Sequence, residues 1–559
     1  MEHLKKYKSL LLLLLLLLVV NFLASVYFMR FDLTQDKRYS LSPAAKQIIE
    51  DVEEPVIIDV FLEGKFPSEF RRLQSETRQM LEEFSAYNRN IKFNFIDPLE
   101  EGDDANAIAQ EFYNLGMTPA RLNVQENGKT SEAIIFPWAI ANYQDETVKI
   151  PLLKNQLGAT NEERVTASVQ QLEYVLADGL SKLIYPREKK IAVMRGNGEL
   201  PDANIADFIK TIQQYYYTAP FTLDSVAANP QKTLQELAKY DLIIEAKPTQ
   251  PYTEDEKYVL DQYLMQSGKA LWLTENVAME TDSLFNEQGK AIALPRELNL
   301  SDFFFSYGIR INPQLVNDLY SAPIILATGS GNNTSFNPFP WYYSPLTSSP
   351  NDHPIINNIE AVKFDYANPI DTLPNSISKT VLLSSSPATK IEGVPMLIDL
   401  GIVNQKPEIS TYKDGEQILA VLLEGQFKSV YANRIKPFKI EGPQDKSKAT
   451  KMLIISDGDV IKNELQRGQP LELGFERYTG NMYGNKEFLL NAVNYLLDDT
   501  GLINLRSKEI TISFLDTEKA TAQRFKWQII NLGGPLLLLL IFAFGFSFYR
   551  KRRYIKKAG

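Results

Sequence analysis

Two long apolar segments, one near each end of the sequence, constrain this chain more than any other feature. The first runs from Leu10 to Phe28 and opens with nine consecutive leucines, and the second runs from Ile529 to Tyr549. A bilayer core about 30 Å thick is crossed by roughly 20 apolar residues in a helix. We therefore predict transmembrane helices at residues 10–29 and 529–549, with a domain in water between them.

Basic residues on the outer flank of each segment predict the orientation. Three lysines lie within residues 1–9, and six lysines and arginines follow Tyr549. Cytoplasmic flanks carry an excess of such residues, so both termini, including the basic tail 550–559, are predicted to be cytoplasmic. A cleaved signal peptide is the alternative for the first segment, but the apolar run exceeds the roughly 7 to 15 residues typical of one, and no small-x-small cleavage site precedes Arg30.

The central region is strongly acidic. The formal net charge is −10, of which the first 30 residues contribute +3 and the last ten +6, so the stretch between them carries −19. Nucleic acid is disfavoured as a partner because phosphate binding requires clustered Lys and Arg. With no cysteine and only His3 and His353 in the sequence, disulfides, thiolate chemistry and multi-histidine metal sites are excluded within one copy.

Residues 30–186 are predicted to form a membrane-proximal α/β domain. The predicted elements are strands at Val56–Leu62 and Ile91–Ile96, helices at Ser68–Asn88, Ala105–Leu115 and Asn161–Ile184, and strand-like runs at Arg121–Gln125 and Glu132–Tyr143. This order is that of a thioredoxin-like domain, with Thr118-Pro119 where such folds usually hold a cis proline. No Cys-x-x-Cys is present, so a redox role is excluded. An unrelated small α/β domain is the alternative.

Residues 187–505 are predicted to form a doubly wound α/β domain, because short buried-type strands alternate with helices of 10 to 15 residues. The first strands are Ile191–Met194, Asp241–Glu245 and Lys269–Thr274, and the last helix is Asn485–Leu497. Residues 276–375, rich in Asn, Ser and Pro, are interpreted as an irregular insertion with a mobile loop. A linker strand is predicted in residues 506–528, before the second span.

The turn Gly196, Asn197, Gly198 and Glu199 follows a predicted parallel strand. Ligands bind at the carboxyl ends of such strands, and glycines let backbone amides approach an anion. The turn is therefore a candidate ligand contact. It lacks the third glycine of a dinucleotide fingerprint and no P-loop lysine pattern occurs, so a tight strand-to-helix turn is the structural alternative.

Asp457, Trp341 and Tyr342 are the remaining candidates for contact with a ligand or partner. Asp457 lies in Ser456-Asp-Gly-Asp459, which has the composition of a cation site but lacks the spaced ligands of an EF-hand, so a solvated turn is the plainer interpretation. Trp341 and Tyr342 lie in an aromatic run beside a Gly, Asn and Pro loop, where a binding platform competes with ordinary packing. No catalytic, cofactor-binding or metal-ligating residue is predicted.

Four segments carry a resemblance to a known family: DLTQDKRYSLS at Asp32–Ser42, NFIDP at Asn94–Pro98, GNGE at Gly196–Glu199 and GNKEFLLNAVNYL at Gly484–Leu496. Over essentially its whole length the chain resembles the auxiliary, so-called substrate-binding subunit of the ABC transporter associated with gliding motility in Bacteroidetes. The middle domain is similar to class I glutamine amidotransferase-like modules related to intraflagellar transport proteins. Those catalytic modules use Cys, which this chain lacks, so the resemblance implies the fold without the activity.

The resemblance implies a non-catalytic accessory subunit in a bacterial inner membrane, with a large periplasmic domain, no cofactor, and separate permease and ATPase partners. An envelope component is a further possible partner. Two alternatives stay open: an envelope-facing glycan-binding protein or hydrolase using acidic residues such as Asp457, Asp459 and Glu199, and a structural scaffold without a ligand. The transported substrate is not encoded in any motif of the sequence.

Overall fold

A computed structural model describes residues 12–21, 40–64, 66–99, 104–126, 129–154, 158–329, 331, 334–347, 349–498, 501–507 and 517–555. The chain divides into two compact units, Met1–Glu509 and Ile510–Gly559. The first apolar segment is described only at α1, Leu12–Asn21, which is helical. Ten residues are about half of what a crossing needs. The rest of the span at 10–29, and residues 1–9, lie outside the described residues, so the first transmembrane helix stays a prediction.

The described part of residues 30–186 holds four helices and six strands. The helices are α2 (Pro43–Glu50), α3 (Ser68–Tyr87), α4 (Ala105–Asn114) and α5 (Asn161–Ile184). The strands are β1 (Val56–Val60), β2 (Ile91–Phe95), β3 (Ala120–Glu126), β4 (Lys129–Ile135), β5 (Trp138–Tyr143) and β6 (Glu146–Pro151). They form a four-stranded sheet of order β2-β1-β5-β6 and a separate β3-β4 hairpin. β1 and β2 are parallel, whereas β1-β5 and β5-β6 are antiparallel.

Local sequence signals explain both the agreement and the differences in this region. α2 begins where Ser42 Oγ accepts a hydrogen bond from the Ala45 amide at 3.1 Å, with Pro43 at its first position as predicted. The predicted single run Glu132–Tyr143 is two strands, broken at Phe136-Pro137 because proline has no amide to donate. The expectation of a cis bond at Thr118-Pro119 was wrong, since the cis peptide among the described residues is Val394-Pro395.

The rest of the first unit is built on a larger mixed sheet. Its strands are β7 (Lys190–Arg195), β8 (Tyr217–Thr222), β9 (Leu242–Ala246), β10 (Lys269–Leu273), β11 (Val277–Ala278), β12 (Lys290–Pro295), β13 (Ile309–Ile311), β14 (Gln314–Asp318), β15 (Ile324–Thr328), β16 (Ser335–Phe339), β17 (Ile370–Thr372), β18 (Ser378–Ser384), β19 (Thr389–Gly393), β20 (Met396–Asp399), β21 (Ile418–Lys428), β22 (Lys446–Ile455), β23 (Leu465–Gln466) and β24 (Gln469–Pro470). Its helices are α6 (Asp202–Ile212), α7 (Pro230–Leu237), α8 (Glu254–Met265), α9 (Ser301–Ser306) and α10 (Asn485–Leu497). Short 3-10 helices cover Thr281–Leu284, Leu400–Asn404, Ile409–Thr411, Gly458–Ile461 and Leu502–Ser507.

Nine of these strands form one sheet, of order β13-β17-β21-β22-β10-β9-β7-β8, with β18 also paired to β21. The five strands β8, β7, β9, β10 and β22 are mutually parallel, and β21, β17, β13 and β18 extend the sheet through antiparallel pairs. Side chains of α6 and α10 pack in the core on one face of the sheet, and those of α7, α8 and α9 pack on the other. The protein is therefore a mixed α/β protein with helices on both faces of its main sheet.

Residues 276–375 are more regular than the sequence indicates. They contain β11 to β17 and α9, and β13 and β17 are strands of the nine-stranded sheet rather than parts of an insertion. The aromatic run at Phe303 explains this order, because Phe303 and Phe304 pack against Trp272 of β10 with ring centroids 6.0 and 5.2 Å apart. Part of the predicted mobile loop, residues 330 and 332–333, lies outside the described residues.

The second unit is helical where it is described. α11 (Thr517–Ala522) and α12 (Arg524–Ile555) replace the linker strand that the sequence predicts in residues 506–528, although residues 508–516 lie outside the described part. Within the described residues one helix is long and apolar enough to cross a membrane, Arg524–Arg552. This helix contains the predicted span 529–549 and continues into the basic tail, of which residues 556–559 are not described.

Candidate functional site: a charged crevice at the carboxyl edge of the sheet

The carboxyl ends of β7, β9, β10 and β22 lie at one edge of the parallel part of the sheet. These four strands are adjacent, in the order β22-β10-β9-β7. Gly196 follows β7, Lys247 follows β9, Glu275 lies two residues after β10, and Asp457 lies two residues after β22. This edge is where open α/β sheets bind ligands, so it is the candidate functional site.

Lys247 is the centre of a buried ion-pair cluster. Its Nζ donates to Asp459 Oδ2 at 2.6 Å, lies 2.7 Å from Glu280 Oε1 and lies 3.6 Å from Glu275 Oε1. The side chain is only 2% exposed, and the backbone has φ +59, which is uncommon for a residue other than glycine. Backbone strain of this kind persists when the surroundings hold it in place, and the Lys247 amide is held by Leu273 O at 2.9 Å.

The glycine between Asp457 and Asp459 makes room for the Lys247 side chain. A Cβ atom at Gly458 would lie 2.3 Å from Lys247 Cγ and 2.9 Å from Lys247 Cα. Since one of these atoms belongs to the backbone, a rotamer change alone does not relieve the overlap. The Asp-Gly-Asp sequence is therefore explained by packing against Lys247.

The acidic side chains of the cluster are held by defined donors. Asp457 Oδ1 accepts from the Asp459 amide at 2.7 Å, and Asp457 Oδ2 accepts from the Asp365 amide at 2.6 Å. Glu275 Oε2 accepts from the Gly458 amide at 3.2 Å, and Glu275 Oε1 lies 3.2 Å from the Arg296 guanidinium. Each of these carboxylates is thus fixed by the protein itself.

Burial and the charges of the cluster give its three carboxyl groups different pKa values. Burial, with the nearby charges of Asp459 and Glu275, raises the pKa of Asp457 well above its usual range. Burial also raises the pKa of Glu275 to about 7, against the opposing attraction of Lys247. For Asp459 burial acts in the same direction, but the ammonium groups of Lys247 and Lys462 outweigh it and hold its pKa below the usual range. Asp459 is therefore the most acidic of the three carboxyl groups.

Glu275, Asp457 and Asp459 present carboxylate oxygens within 4.8 Å of one another, which is close enough to hold a cation. Small divalent cations prefer such oxygen ligands. The positive charge at this place is instead supplied by Lys247, whose Nζ contacts Asp459 and lies near Glu275. A metal ion would have to displace that ammonium group, so the donor set fits a lysine-neutralised cluster better than a metal centre.

A cleft of about 460 Å³ opens above the cluster. Charged and aromatic side chains from distant segments line it, among them Glu280, Trp341, Lys363, Asp365, Asp459 and Tyr478. Lys363 Nζ lies 2.9 Å from Asp365 Oδ2, and burial is outweighed by this carboxylate so that the pKa of Lys363 is raised. The basic side chain Lys363 in the cleft wall is therefore paired with an acidic neighbour.

Trp341 reaches this cleft and Tyr342 does not. Trp341 lines the cleft and packs against Tyr343, with ring centroids 5.5 Å apart. Tyr342 is buried and its ring meets that of Tyr412 at 6.2 Å. The aromatic run thus divides between the cleft wall and the core.

The Gly196–Glu199 turn packs on the loop after β9. The Asn197 amide donates to Glu199 Oε1 and Oε2 at 3.1 and 3.0 Å, and the Asn197 carbonyl accepts from the amides of Thr249 and Gln250. Gly198 has φ +75, and a Cβ there would lie 2.2 Å from Thr249 Oγ1. These contacts favour the structural interpretation of the turn, and its residues do not line the cleft described above.

Sequence reasoning singled out Asp457 but missed Lys247, Glu275 and Arg296. These residues are separated along the chain and meet only because β9, β10 and β22 are neighbours. One signal was present in the sequence: Lys247 and Glu275 lie just beyond the ends of buried strands. Arg296 follows β12, which is not a buried strand. Inspecting the residues after every predicted strand would have found Lys247 and Glu275.

The fold and the crevice define a class of protein: a mixed α/β protein whose parallel strands end in a charge-compensated crevice, joined in sequence to a helix able to cross a membrane. A family model described as "ABC-type uncharacterized transport system" matches residues 188–492. The match covers more than half of the sequence, and the chain belongs to this family. A second family model, described as a domain of unknown function, matches residues 35–142.

Two further proteins are similar to this chain. An uncharacterized protein of Borreliella burgdorferi is 20% identical over 547 residues, which cover 95% of each chain. The solved structure named mmIFT52 N-terminal domain covers 56% of this chain and 99% of its own, at 12% identity and a TM-score of 0.32. A TM-score this low does not show a shared fold, so this likeness does not establish the amidotransferase-like fold.

Proposed function

We propose that this chain is a non-catalytic accessory subunit of an ABC transport system and works with a separate permease and a separate ATPase. The observation that carries the proposal is membership of the transport-system family over residues 188–492, which include the whole nine-stranded sheet and most of α10. The sequence contains no P-loop pattern, so ATP hydrolysis would come from another subunit.

The chemistry of the crevice supports a role without catalysis. Ser456, the hydroxyl nearest to the cluster in sequence, is buried and donates to Leu419 O at 3.1 Å. Asp457 accepts two backbone hydrogen bonds, and Asp459 is paired with Lys247. Backbone amides and the Lys247 ammonium group thus orient these carboxyl groups toward the protein, an arrangement that favours a structural role over that of a general base or nucleophile.

We further propose a thioredoxin-like fold for the membrane-proximal domain and an amidotransferase-like fold for the larger one. The sheet order β2-β1-β5-β6, with β5 antiparallel to both of its neighbours, supports the first. Five parallel strands with helices on both faces support the second. In this arrangement residues 30–186 and 187–505 are two domains of one compact unit.

For the topology, we propose two spans with both termini in the cytoplasm of a bacterium and the domain between them in the periplasm. The supports are α12 and the basic residues that follow its apolar part. The resemblance to subunits of gliding-motility transporters extends the proposal to gliding motility or another envelope function. Two anchors suit a fixed place in a membrane complex better than they suit a released solute receptor.

Purification of the tagged full-length protein from native membranes, after gentle detergent extraction, tests the assembly. A permease and an ATPase should copurify in constant proportion. As a matched control, residues 529–549 are replaced by an unrelated apolar span of equal length, which keeps the anchor but removes specific helix packing. Recovery of the native protein alone, at its natural expression level, would refute the proposal.

The natural absence of cysteine makes the topology directly measurable. Single cysteines introduced at Glu54, which is exposed, and at Lys551, at the far end of α12, can be labelled with a membrane-impermeant maleimide. We expect label at position 54 in cells with a permeabilised outer envelope, and at position 551 only after lysis. Label at both positions in intact inner membranes would contradict the proposed orientation, and the cysteine-free parent measures the background.

The cleft above the charged cluster supports one second candidate, an envelope glycan-binding role. Aromatic and carboxylate groups line it, and Tyr478 is exposed at its edge. If this role is right, Tyr478→Ala should weaken binding of isolated envelope polysaccharide without changing copurification of the transporter subunits. Unchanged binding in that variant, or no binding by the parent, would remove this candidate.

A further inference from the structure

A second cavity, of about 380 Å³, lies between α5 and α10, away from the crevice. We call it the α5–α10 cavity. Residues of α5, the segment 149–154 that includes the end of β6, residues of α10 and Arg506 line it. The cavity thus lies between the region 30–186 and the region matched by the transport-system family. Its size lies within the range of small-molecule sites, roughly 300 to 1,000 Å³.

Two buried cations in its wall share one carboxylate. Arg506 Nη2 lies 2.5 Å from Glu487 Oε1, and Lys154 Nζ lies 3.5 Å from the same oxygen. The side chains of Lys154 and Arg506 are 9% and 4% exposed. Among the described residues, neither Lys154 Nζ nor Arg506 Nε has a hydrogen-bond partner. Buried ammonium groups are normally paired, so these donors constitute unused binding capacity.

Two other lysines in the cavity wall, Lys182 and Lys486, are each paired with a carboxylate. Lys182 Nζ lies 2.9 Å from Asp178, and Lys486 Nζ lies 3.1 Å from Glu472. Glu360 also lines the wall and acts on Lys154 with Glu487, yet burial outweighs both carboxylates and the pKa of Lys154 is lowered. The positive charge of Lys154 is therefore under-compensated in a region of the chain that is otherwise strongly acidic.

Lys154 is held at this place by its backbone. Its amide donates to Ser168 Oγ at 2.7 Å, and its carbonyl accepts from Arg164 Nε at 3.4 Å, both on α5. The rest of the wall includes apolar side chains, among them Leu152, Val175 and Leu490. A fixed cation beside an apolar wall is suited to a ligand with one anionic group and an apolar body.

We propose that the α5–α10 cavity binds an organic anion, a carboxylate or a phosphate monoester on an apolar body, through Lys154 and Arg506. The ligand oxygen takes the unused donor capacity of these two side chains, and the apolar body packs between α5 and α10. The proposal requires neither the permease nor the ATPase, so its failure would leave the proposed transport role untouched.

Binding is tested with the full-length protein in lipid nanodiscs by isothermal titration calorimetry. The probes are 4-phenylbutyrate, 3-phenylpropyl phosphate and the uncharged 4-phenylbutanamide. We expect at least one anion to bind at least tenfold more tightly than the amide, and the stronger anion identifies the head group. Equal affinity for the three probes, or no binding of either anion, would overturn the proposal.

Four variants distinguish ligand contact from structure. Lys154→Met should weaken anion binding at least tenfold, whereas Lys182→Met, in the same wall but already paired, should change it less than twofold. Lys154→Arg keeps the positive charge and should retain anion binding, so it tests the role of the charge even if Lys154→Met folds poorly. Glu487→Gln removes the competing carboxylate and should tighten binding even where it lowers stability. Similar affinities for Lys154→Met and Lys182→Met, or weaker binding in Glu487→Gln, would refute the assignment.

Discussion

Replacing Lys247 by methionine is the sharpest test of the charged crevice. Methionine approximates the volume of the lysine stem and removes only the ammonium group. That group contacts Asp459 at 2.6 Å and Glu280 at 2.7 Å, with Glu275 at 3.6 Å. Its loss leaves buried carboxylates without their main counter-charge, which is the costly half of breaking a buried ion pair.

The expected loss in the free energy of unfolding depends on the charges that stay near the cluster in Lys247→Met. Removing one partner of a buried pair costs about 3 to 5 kcal/mol. Glu280 is 41% exposed, so water compensates much of its lost contact with Lys247. Two cations also stay close to the other carboxylates: Lys462 lies 3.2 Å from Asp459, and Arg296 lies 3.2 Å from Glu275. We therefore expect the lower end of that range, a loss of about 3 kcal/mol in the free energy of unfolding at pH 7.

The assay is urea unfolding of the detergent-solubilised full-length protein, followed by tryptophan fluorescence, since Trp272 lies in the core of the neighbouring strand β10. Lys462→Met is the matched control: its side chain is 35% exposed and it contacts the same Asp459, so a loss of about 1 kcal/mol or less is expected. Asp459→Asn in the Lys247→Met background should recover part of the loss, because both charges of the pair are then gone.

The pH dependence adds a second criterion. Without Lys247, burial leaves the folded-state pKa of the Asp459 carboxyl above its unfolded value, so the variant regains stability as pH falls and the group takes up a proton. The deficit relative to the parent should therefore be smaller at pH 5 than at pH 8. A deficit equal to that of Lys462→Met, or one independent of pH, would show that the ammonium group does not hold the cluster together.

Three further outcomes are expected in the same unfolding assay. Gly458→Ala should cost about 2 kcal/mol because the new Cβ overlaps Lys247. Gly393→Ala, whose new Cβ would have no atom of the described residues within 4 Å, should stay within about 0.5 kcal/mol. The folded-state pKa of Glu275, about 7, exceeds the ordinary glutamate value of about 4.3, so its contribution to stability is full below the unfolded pKa and is lost as pH rises through about 7. Glu275→Gln should flatten that fall. Ser42→Ala removes the α2 cap and should cost about 1 kcal/mol; no measurable change would show that the cap does not stabilise α2.

Elements with strong local signals were predictable from the sequence. The helices Asn161–Ile184 and Asn485–Leu497 have the predicted bounds, and Thr253 caps α8 with a reciprocal Glu256 contact. β8 was missed because it contains Pro220, which argues against a strand. The structure places β8 at the sheet edge, where a missing amide costs no ladder bond.

The candidate site was predictable only in part because it is assembled by strand order. Asp457 was recognised from its local composition, but its relation to Lys247 depends on β22 lying beside β10 and β10 beside β9, across some 200 residues of sequence. No periodicity encodes that adjacency. The Gly196–Glu199 turn shows the converse: its composition indicated a ligand, yet Gly198 is needed for packing against Thr249.

The two cavities differ in how their charges are compensated, and this difference directs the search for a ligand. In the crevice, Lys247 and Lys462 neutralise Asp459 and Arg296 neutralises Glu275, so an ionic ligand gains little there. In the α5–α10 cavity, Lys154 and Arg506 compete for Glu487, so an anion gains an unshared partner. Because α5 lies in the region 30–186 and α10 begins in the family-matched region 188–492, an anion bound between them would stabilise the packing of the two regions. A ligand shifts a conformational equilibrium only if it binds one state more tightly than the other. An anion that contacts Lys154 would favour the state in which α5 and α10 are packed together around the cavity.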